Sequence, residues 1–252
     1  MKIIISPAKK MNTNRDTIPD STTPVFIKEA EGLWGKLNTM SYKELKELWK
    51  CNEKIASLGF ERLQTLNMNE KLTPAILAYE GIQYQYMAPV VFSGDAWESA
   101  GEQLRILSGL YGILKPSDGV IPYRLEMQAG LANESGKDLY QFWGDKIYKE
   151  LAADTDVILN LASKEYSKVI EPYLDGRIRY VTCIFGEKQQ DGKIKVKGTL
   201  AKMARGEMVK WICEQNVQDP EQVKAFTGLG YRFSDIDSGE NEFVFLLEQQ
   251  EE

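Results

Sequence analysis

Apolar residues recur along the chain with two spacings, which predict two kinds of element. Short continuous apolar runs bounded by polar or turn residues are typical of buried strands. Such runs lie at 3–5, 156–161, 177–187, 193–197, 231–233 and 243–247. The third and fourth runs flank Gln-Gln-Asp-Gly at 189–192, a pattern that predicts a β-hairpin. The chain therefore carries short strands along most of its length.

Stripes of apolar residues three or four positions apart predict helices between these strands. Ser41 followed by Glu44 is a capping-box pattern, which predicts a helix over 42–50. Asp138 and Ser163 are candidate caps of two later helices. Apolar stripes predict helices over 97–107, 139–151, 166–170 and 198–213. Alternating helices and strands favour a mixed α/β fold of the α+β kind.

The segment 107–127 is dense in glycine and proline and ends in Tyr123, Arg124 and Glu126. Glycine frees the backbone and proline fixes φ, so the segment is expected to be a shaped loop, although tight turns alone explain both residue types. Three interpretations of its charged end remain open. It forms a structural ion pair, it contacts nucleic acid through tyrosine stacking and arginine on phosphate, or it performs acid–base chemistry.

Length and composition favour one compact domain over 1–252, because no linker, repeat or low-complexity segment divides the chain. No apolar run approaches the roughly 20 residues of a membrane span, and the N-terminal run is too short for a secretory signal. Three cysteines without a CxxC pattern form neither a disulfide framework nor a zinc pattern. We expect a cytoplasmic protein without a cofactor.

The chain contains no histidine. Ser-His-Asp triads, Cys-His pairs and HExxH zinc sites are therefore excluded within it, and no carboxylate cluster suggests a metal site. If the protein is an enzyme, its acid–base groups must be lysine, tyrosine, aspartate, glutamate or cysteine. The candidates beside irregular loops are Lys9, Tyr123, Glu126 and Glu165.

The net charge of −6 opposes nonspecific adhesion to polyanions, but it does not exclude a local basic cleft. Acidic residues crowd the C-terminus, where 246–252 is predicted to be an acidic tail. Basic residues elsewhere remain available to form a positive region. The positions that could form such a region are those at which lysine and arginine follow strands or share a helix face.

Two sets of basic residues have competing interpretations. On the predicted 198–213 helix, Lys202, Arg205 and Lys210 lie opposite the apolar face, where they either follow phosphates or form a solvated surface. Gly206 in the same helix suggests a close approach by another backbone or a ligand. Lys9 and Lys10 follow a strand and a proline turn, so they either line a site or belong to a polar loop.

A second strand-to-helix junction contains Asn160, Ser163 and Lys164. A helix N-terminus beside a lysine is suited to holding an anion, and the alternative is ordinary capping by Ser163. Two glycine pairs, in LSGLYG at 107–112 and FTGLG at 226–230, are similar to the glycine hairpins of helix-hairpin-helix DNA-binding modules. A plain glycine turn at the end of a helix explains either pair equally well.

Taken together, several strings resemble the YaaA family of peroxide stress resistance proteins. They occur in one order over nearly the whole chain: ISPAK (5–9), LAYEG (77–81), LRILSGLYGILKPSDGVIPYRLEM (104–127), LYQFWG (139–144), NLASKEY (160–166), AKMARG (201–206) and GYRF (230–233). The resemblance implies a compact single-domain fold peculiar to the family, with a helix-hairpin-helix-like element.

The resemblance also implies a cytoplasmic bacterial protein that helps to limit free iron and oxidative DNA damage during hydrogen peroxide stress. It implies DNA binding in a positively charged cleft, with distorted or partly single-stranded duplexes as partners. The cleft residues that it implies here are Lys9, Arg105, Arg124, Lys164, Lys202 and Arg205, and Lys10 joins them by position. An enzyme of unassigned reaction is the alternative function.

Overall fold

The computed structural model describes residues 1–12, 21–70, 72–133 and 136–248. Its strands are β1 (Lys2–Ile5), β2 (Lys10–Met11), β3 (Thr73–Pro74), β4 (Tyr79–Glu80), β5 (Leu104–Ser108), β6 (Gly112–Leu114), β7 (Gly119–Val120), β8 (Val157–Asn160), β9 (Arg179–Lys188), β10 (Ile194–Lys195), β11 (Tyr231–Phe233) and β12 (Glu242–Leu247). Its α-helices are α1 (Ile27–Asn38), α2 (Tyr42–Trp49), α3 (Glu53–Thr65), α4 (Ala75–Ala78), α5 (Ile82–Met87), α6 (Gly94–Gln103), α7 (Leu139–Trp143), α8 (Lys146–Ala152), α9 (Lys164–Ser167) and α10 (Gly198–Gln215).

A central sheet organises these elements. Its strands follow the order β11, β12, β9, β8, β1, β5 and β6, with β10 paired to β9. The row from β12 to β5 is parallel throughout, whereas β6, β10 and β11 pair antiparallel with their neighbours. The predicted mixed α/β class is confirmed. Because parallel strands end at one edge, the residues that follow β1, β5 and β8 meet there.

Strand β1 lies at the middle of this sheet. Ile3 is opposite Leu104 of β5 on one side and Leu159 of β8 on the other. Ile3, Ile4 and Ile5 are all completely buried. A continuous apolar run, without alternation, is what a strand covered on both faces requires. The sequence prediction of a buried strand here is confirmed, as are β8, the β9–β10 hairpin, β11 and β12.

Two helix starts follow the predicted capping chemistry. The Ser41 hydroxyl accepts the Glu44 N–H and the Glu44 carboxylate accepts the Ser41 N–H, which completes the capping box of α2. Asp138 accepts the Gln141 N–H at 2.9 Å and so caps α7. Polar side chains at these positions satisfy N–H groups that the first turn of a helix leaves unpaired.

Three helix boundaries differ from prediction. The helix expected over 166–170 is a single turn, α9, which ends at Ser167. The helix expected over 97–107 ends at Gln103, because residues 104–108 form β5 and pair with β1. Its leucines and isoleucine fit a helical stripe and a buried strand equally, and pairing with the central strand decides between them. The helix expected over 139–151 is divided at Gly144, whose φ of +48° ends α7.

Segment 107–127 is almost entirely buried, so its glycines are explained by packing. A Cβ on Gly109 would lie 2.3 Å from the Leu125 carbonyl oxygen. Gly112 has a φ of +71° and lies against the ring of Trp143, whose indole N–H donates to the Gly109 carbonyl at 3.1 Å. The loop is therefore a packed connection from which Lys115, Ser117 and the charged end at Arg124 and Glu126 reach the surface.

The glycine pairs at 107–112 and 226–230 do not lie in helix-hairpin-helix units. The first pair forms the tight turn between β5 and β6, and the second leads from a 3-10 turn into β11. A helical hairpin lies elsewhere, where α2 packs on α3 across a three-residue connection of Lys50, Cys51 and Asn52. Asn52 caps α3 by accepting the Ile55 N–H at 3.0 Å.

Three further features complete the fold. No helix among the described residues is long and apolar enough to cross a membrane. The acidic tail predicted over 246–252 overlaps β12, which continues to Leu247, and Glu248 pairs with Arg232; residues 249–252 lie outside the described residues.

Cys183 and Cys213 are buried thiols, and burial raises the pKa of both, that of Cys213 to about 12.

Gly206 lies where the backbones of α10 and α5 approach each other closely. A Cβ on this residue would lie 2.1 Å from the Gln83 carbonyl oxygen and 3.0 Å from the Met87 nitrogen. The backbone of α5 cannot withdraw from this contact as a flexible side chain would. The close backbone approach suggested by a glycine inside the helix is therefore present.

We expect Gly206→Ala to lower the free energy of unfolding by about 1–3 kcal/mol, because overpacking against α5 outweighs the helix propensity gained. Gly35→Ala is the matched control, since Gly35 lies in α1 with no atom within 4 Å of the added Cβ. That variant should gain about 0.5–1 kcal/mol. Urea denaturation measures both, and equal effects of the two alanines would contradict the close contact.

Candidate nucleic-acid interface

Polar side chains gather at the carboxyl edge of the parallel strands. Ser6 follows β1 and Ser163 follows β8, and their hydroxyl oxygens lie 3.1 Å apart. The Ser163 N–H also donates to the Ser6 hydroxyl at 2.8 Å. Ser163 begins α9 as predicted, but its side chain binds Ser6 and does not cap the helix. The two loops that leave this edge are thereby tied together.

Lys9, Arg124 and Glu126 form an ion-pair cluster close to this edge. Lys9 Nζ donates to Glu126 Oε2 at 3.0 Å, and Arg124 Nη2 donates to Glu126 Oε1 at 3.1 Å. The Lys9 side chain is 63% exposed, whereas those of Arg124 and Glu126 are mostly buried. One carboxylate thus orients two cations that come from distant parts of the sequence, and the cluster keeps a net positive charge.

Glu165 borders the ion-pair cluster. Its carboxylate accepts the Gln128 N–H at 3.4 Å. Burial raises the pKa of Glu165, and the charge of Glu126 raises it further, while the Gln128 N–H and Lys9 act in the opposite direction. Lys9, Glu126 and Glu165, three of the residues considered for acid–base chemistry, therefore converge.

Tyr123 has a different position from these three. Its hydroxyl is hydrogen bonded to both Tyr79 and Ser108, each at 2.7 Å, inside the core. Burial raises the pKa of Tyr123 to about 12, although its two hydrogen bonds oppose this. At neutral pH the phenol therefore stays protonated and joins the end of β5 to β4, which is a structural role.

A cavity of about 430 Å³ opens beside Lys9 and Arg124. Helices α1, α2 and α3 supply most of its wall. Its lining residues are Lys9, Lys10, Met11, Trp34, Leu37, Trp49, Ile55, Leu58, Gly59, Arg62, Leu63, Tyr123 and Arg124. Four of them are cations, and none of those that the structure describes is acidic. The helical hairpin of α2 and α3 is thus one wall of a cationic cavity.

The other two cations of this cavity have contrasting surroundings. Lys10 is 79% exposed and pairs with Glu80 across the β2–β4 ladder. Arg62 donates from Nη2 to the Met11 carbonyl at 3.3 Å, and burial lowers the pKa of its guanidinium. Arg62 has no ion pair among the described residues.

Arg105 lies at the opposite edge of the sheet from Lys9. Its guanidinium donates to Asp154 at 3.1 Å and to the carbonyls of Gly101, Glu102 and Leu104, and its side chain is only 9% exposed. Asp154 also forms an ion pair with Lys2, the first residue of β1. The structure therefore separates Arg105 from the other implied cleft residues and gives it a structural partner.

We expect Asp154→Asn to lower the free energy of unfolding at pH 7 by about 1–2 kcal/mol, because Arg105 loses its carboxylate while the exposure of Asp154 limits the effect. The hydrogen bond from Lys2 and the charges of Lys2 and Arg105 lower the pKa of Asp154 in the fold. The stabilisation that the Asp154 carboxylate gives to the fold is therefore complete above the pKa of aspartate in the unfolded chain, about 3.9. It disappears as the pH falls through the lower pKa of Asp154 in the folded protein.

Chemical denaturation at several pH values measures this difference. The difference in free energy of unfolding between the wild type and Asp154→Asn should be largest at pH 7 and should shrink once the pH falls below about 4. A gap that stays constant down to the lowest accessible pH would contradict the ion-pair interpretation.

The remaining implied cleft residues are not in contact with Lys9 or Arg124 in the described part of the chain. Lys164 is exposed and pairs with Glu171. Lys202 is exposed on α10, whereas Arg205 is largely enclosed and its Nε is buried without a hydrogen-bond partner. Burial lowers the pKa of Arg205. The basic face predicted for α10 is therefore not uniformly solvated.

Several cavity residues escaped the sequence analysis, above all Trp34, Trp49 and Arg62. They lie on α1, α2 and α3, and neither α1 nor α3 was predicted. A signal for α3 exists, since Asn52 precedes Ile55, Leu58 and Leu63 at helical spacing. Within the described residues, no group of three or more Cys, Asp and Glu side chains is arranged to hold a metal ion.

The fold and this cavity define a mixed α/β protein with a cationic, aromatic-lined site beside the carboxyl edge of a parallel sheet. A family model described as Peroxide stress protein YaaA matches residues 1–236. The chain belongs to this family, as the sequence strings indicated.

Curated relatives agree with this assignment. A UPF0246 protein of Desulfitobacterium hafniense is 52% identical over 246 residues, which cover 98% of each chain. A UPF0246 protein of Lachnoclostridium phytofermentans is also 52% identical over 246 residues, covering 98% of this chain and 96% of its own length. One from Ligilactobacillus salivarius is 48% identical, with 98% and 99% covered.

Proposed function

We propose that this peroxide stress protein binds DNA through the cations at the mouth of the cavity, Lys9, Lys10, Arg62 and Arg124. The observation that carries the proposal is the convergence of these four residues beside a helical hairpin. Cations that neutralise phosphates supply most of the affinity of nucleic-acid-binding proteins. Lys9 and Lys10 are well exposed, and each pairs with a carboxylate, Glu126 or Glu80, that a phosphate would displace on binding.

The role that we propose is cytoplasmic protection of DNA during hydrogen peroxide stress, together with a lower level of free iron. Peroxide and ferrous iron generate radicals that damage DNA, so the two effects serve one purpose. The chain has no histidine and only three cysteines. So few nitrogen and sulfur ligands are poorly suited to sequestering iron. We therefore propose that the lower level of free iron is an indirect result of DNA binding. Arg105 has no part in this interface, and Lys164, Lys202 and Arg205 are secondary candidates.

We expect duplex DNA to bind with a strong salt dependence, with a slope of log K against log salt of about −0.9 per phosphate contacted. The double variant Lys9→Gln/Lys10→Gln should weaken binding and flatten this slope by up to about 1.8. Fluorescence anisotropy over a salt series gives both quantities. Both lysines are exposed, so the fold should survive their replacement.

The matched control is Lys193→Gln/Lys195→Gln, which makes the same change of charge in the exposed β9–β10 hairpin. Its slope should equal that of the wild type. The proposal fails if no DNA binds at low salt, or if the two double variants weaken binding to the same extent.

Glu126→Gln should raise the affinity for duplex DNA severalfold. The carboxylate of Glu126 holds both Lys9 and Arg124, and it competes with phosphate for them. Glutamine keeps the shape of the side chain and removes its charge. Anisotropy at fixed salt measures the change. An unchanged or reduced affinity would show that Glu126 serves to position the cations and does not restrain them.

An enzyme of unassigned reaction remains the second candidate. It is favoured by the convergence of Lys9, Glu126 and Glu165, because a carboxyl with a raised pKa beside a lysine is suited to acid–base work. Incubating DNA with the wild type and with Glu165→Gln tests it. A chemical change in the DNA that is made only by the wild type would favour this candidate.

A further inference from the structure

We propose that Arg205 and Lys202 on α10 bind a small anion with a terminal phosphate group, at a site separate from the cations assigned to DNA. The two residues are three positions apart on one helix, so their side chains are neighbours on its surface. Neither forms an ion pair or a hydrogen bond with any residue that the structure describes. The inference does not depend on the proposed DNA binding.

Arg205 combines burial with an unpaired charge. Its side chain is largely enclosed, and its Nε is buried without a hydrogen-bond partner. Burial lowers the pKa of Arg205, and no carboxylate of the described chain offsets this, since the Cys183 thiol alone acts in the opposite direction. Taking a charge out of water costs considerable free energy, so enclosed charges are normally paired.

The other arginines do have acceptors. Six of them lie in the described part of the chain, and each forms an ion pair or donates to a backbone carbonyl. Arg105 is the closest comparison, because it is equally enclosed and has both Asp154 and three carbonyls as acceptors. The fold therefore pairs its arginines as a rule, and Arg205 is suited to an acceptor that comes from outside the chain.

The outer edge of the Arg205 guanidinium is open to such an acceptor. Nε is the one nitrogen of this group that is both buried and unpartnered. The two Nη atoms have no hydrogen bond within the described residues either, so they keep contact with solvent. Lys202 is exposed beside them. An anion can therefore reach both cations without displacing a protein carboxylate.

Two adjacent cations favour a doubly charged anion. A terminal phosphate carries a charge of about −1.5 to −2 at pH 7 and offers three acceptor oxygens. A guanidinium binds two of these in its plane, and a lysine acts as a point charge on the third. A phosphate within duplex DNA is a poorer match, because it carries one charge and a sugar on either side, whereas Arg205 is recessed.

Thermal unfolding in inorganic phosphate tests the site, with sodium chloride of equal ionic strength as the reference. Phosphate should raise the melting temperature of the wild type by at least about 2 °C, since a ligand that binds only the folded state stabilises it. Lys9→Gln/Lys10→Gln should show the same shift, which excludes the DNA-binding lysines as its source. Lys202→Gln should weaken phosphate binding severalfold by isothermal titration calorimetry.

Arg205→Met removes the guanidinium and keeps a long side chain. Without phosphate, its melting temperature should exceed that of the wild type by at least about 2 °C, because an unpaired enclosed charge is gone. Phosphate should no longer raise it. The matched control is Lys210→Met, which removes a cation about 140° around the same helix and should keep the phosphate shift.

The outcomes separate this inference from the proposed function. If Arg205→Met loses the phosphate shift and binds duplex DNA as the wild type does, the anion site stands whether or not DNA binding is strong. A wild type without a phosphate shift, or a shift that survives Arg205→Met, overturns the site and leaves the DNA proposal to its own titration. A lower melting temperature for Arg205→Met would show a structural role and also overturn it.

A loss at the DNA interface is recognised by the salt series. If Arg205→Met flattens the slope of log K against log salt by about 0.9, Arg205 contacts a DNA phosphate and the small-anion site is wrong. An unchanged slope is the result expected here.

Discussion

The burial of β1 between β5 and β8 is the constraint on which the rest of the structure depends. Its three isoleucines fix the register of the parallel row, and that register brings the loops after β1 and β8 to one edge. The bond between Ser6 and Ser163 then joins the loops. Lys9 is within reach of Glu126 and Glu165 because these connections leave the same edge of one sheet. Disturbing the strand would disperse the cluster even though none of the isoleucines touches it.

Much of this arrangement could be predicted from the sequence. Continuous apolar runs identified β1, β8 and the closing strands, and capping residues identified the starts of α2 and α7. The sequence failed at 104–108, where one apolar run fits a helical stripe as well as a strand. Only its pairing with β1, a contact across about a hundred positions of sequence, resolves that ambiguity. Gly206 is the opposite case, since a glycine inside a helix already indicated the close backbone that α5 provides.

The candidate site was harder to predict because charge type does not reveal burial or partner. Lys9 and Arg124 both pair with Glu126, whereas Arg105 has the same chemistry and lies at the far edge, held by Asp154. The tryptophans of the cavity carried no signal, because an apolar stripe looks the same whether it faces the core or a ligand. Arg62 shows the same limit, since only the packing of α3 against β2 places it beside Lys10.

The buried thiols have a consequence for a protein that operates in the presence of peroxide. The thiolate is the form of cysteine that peroxide oxidises, and burial holds Cys183 and Cys213 in the protonated form. Neither sulfur is exposed to the solvent that carries the oxidant. Sulfenic acid formation at these two thiols is therefore disfavoured, and it is the packing of the core around them that protects them.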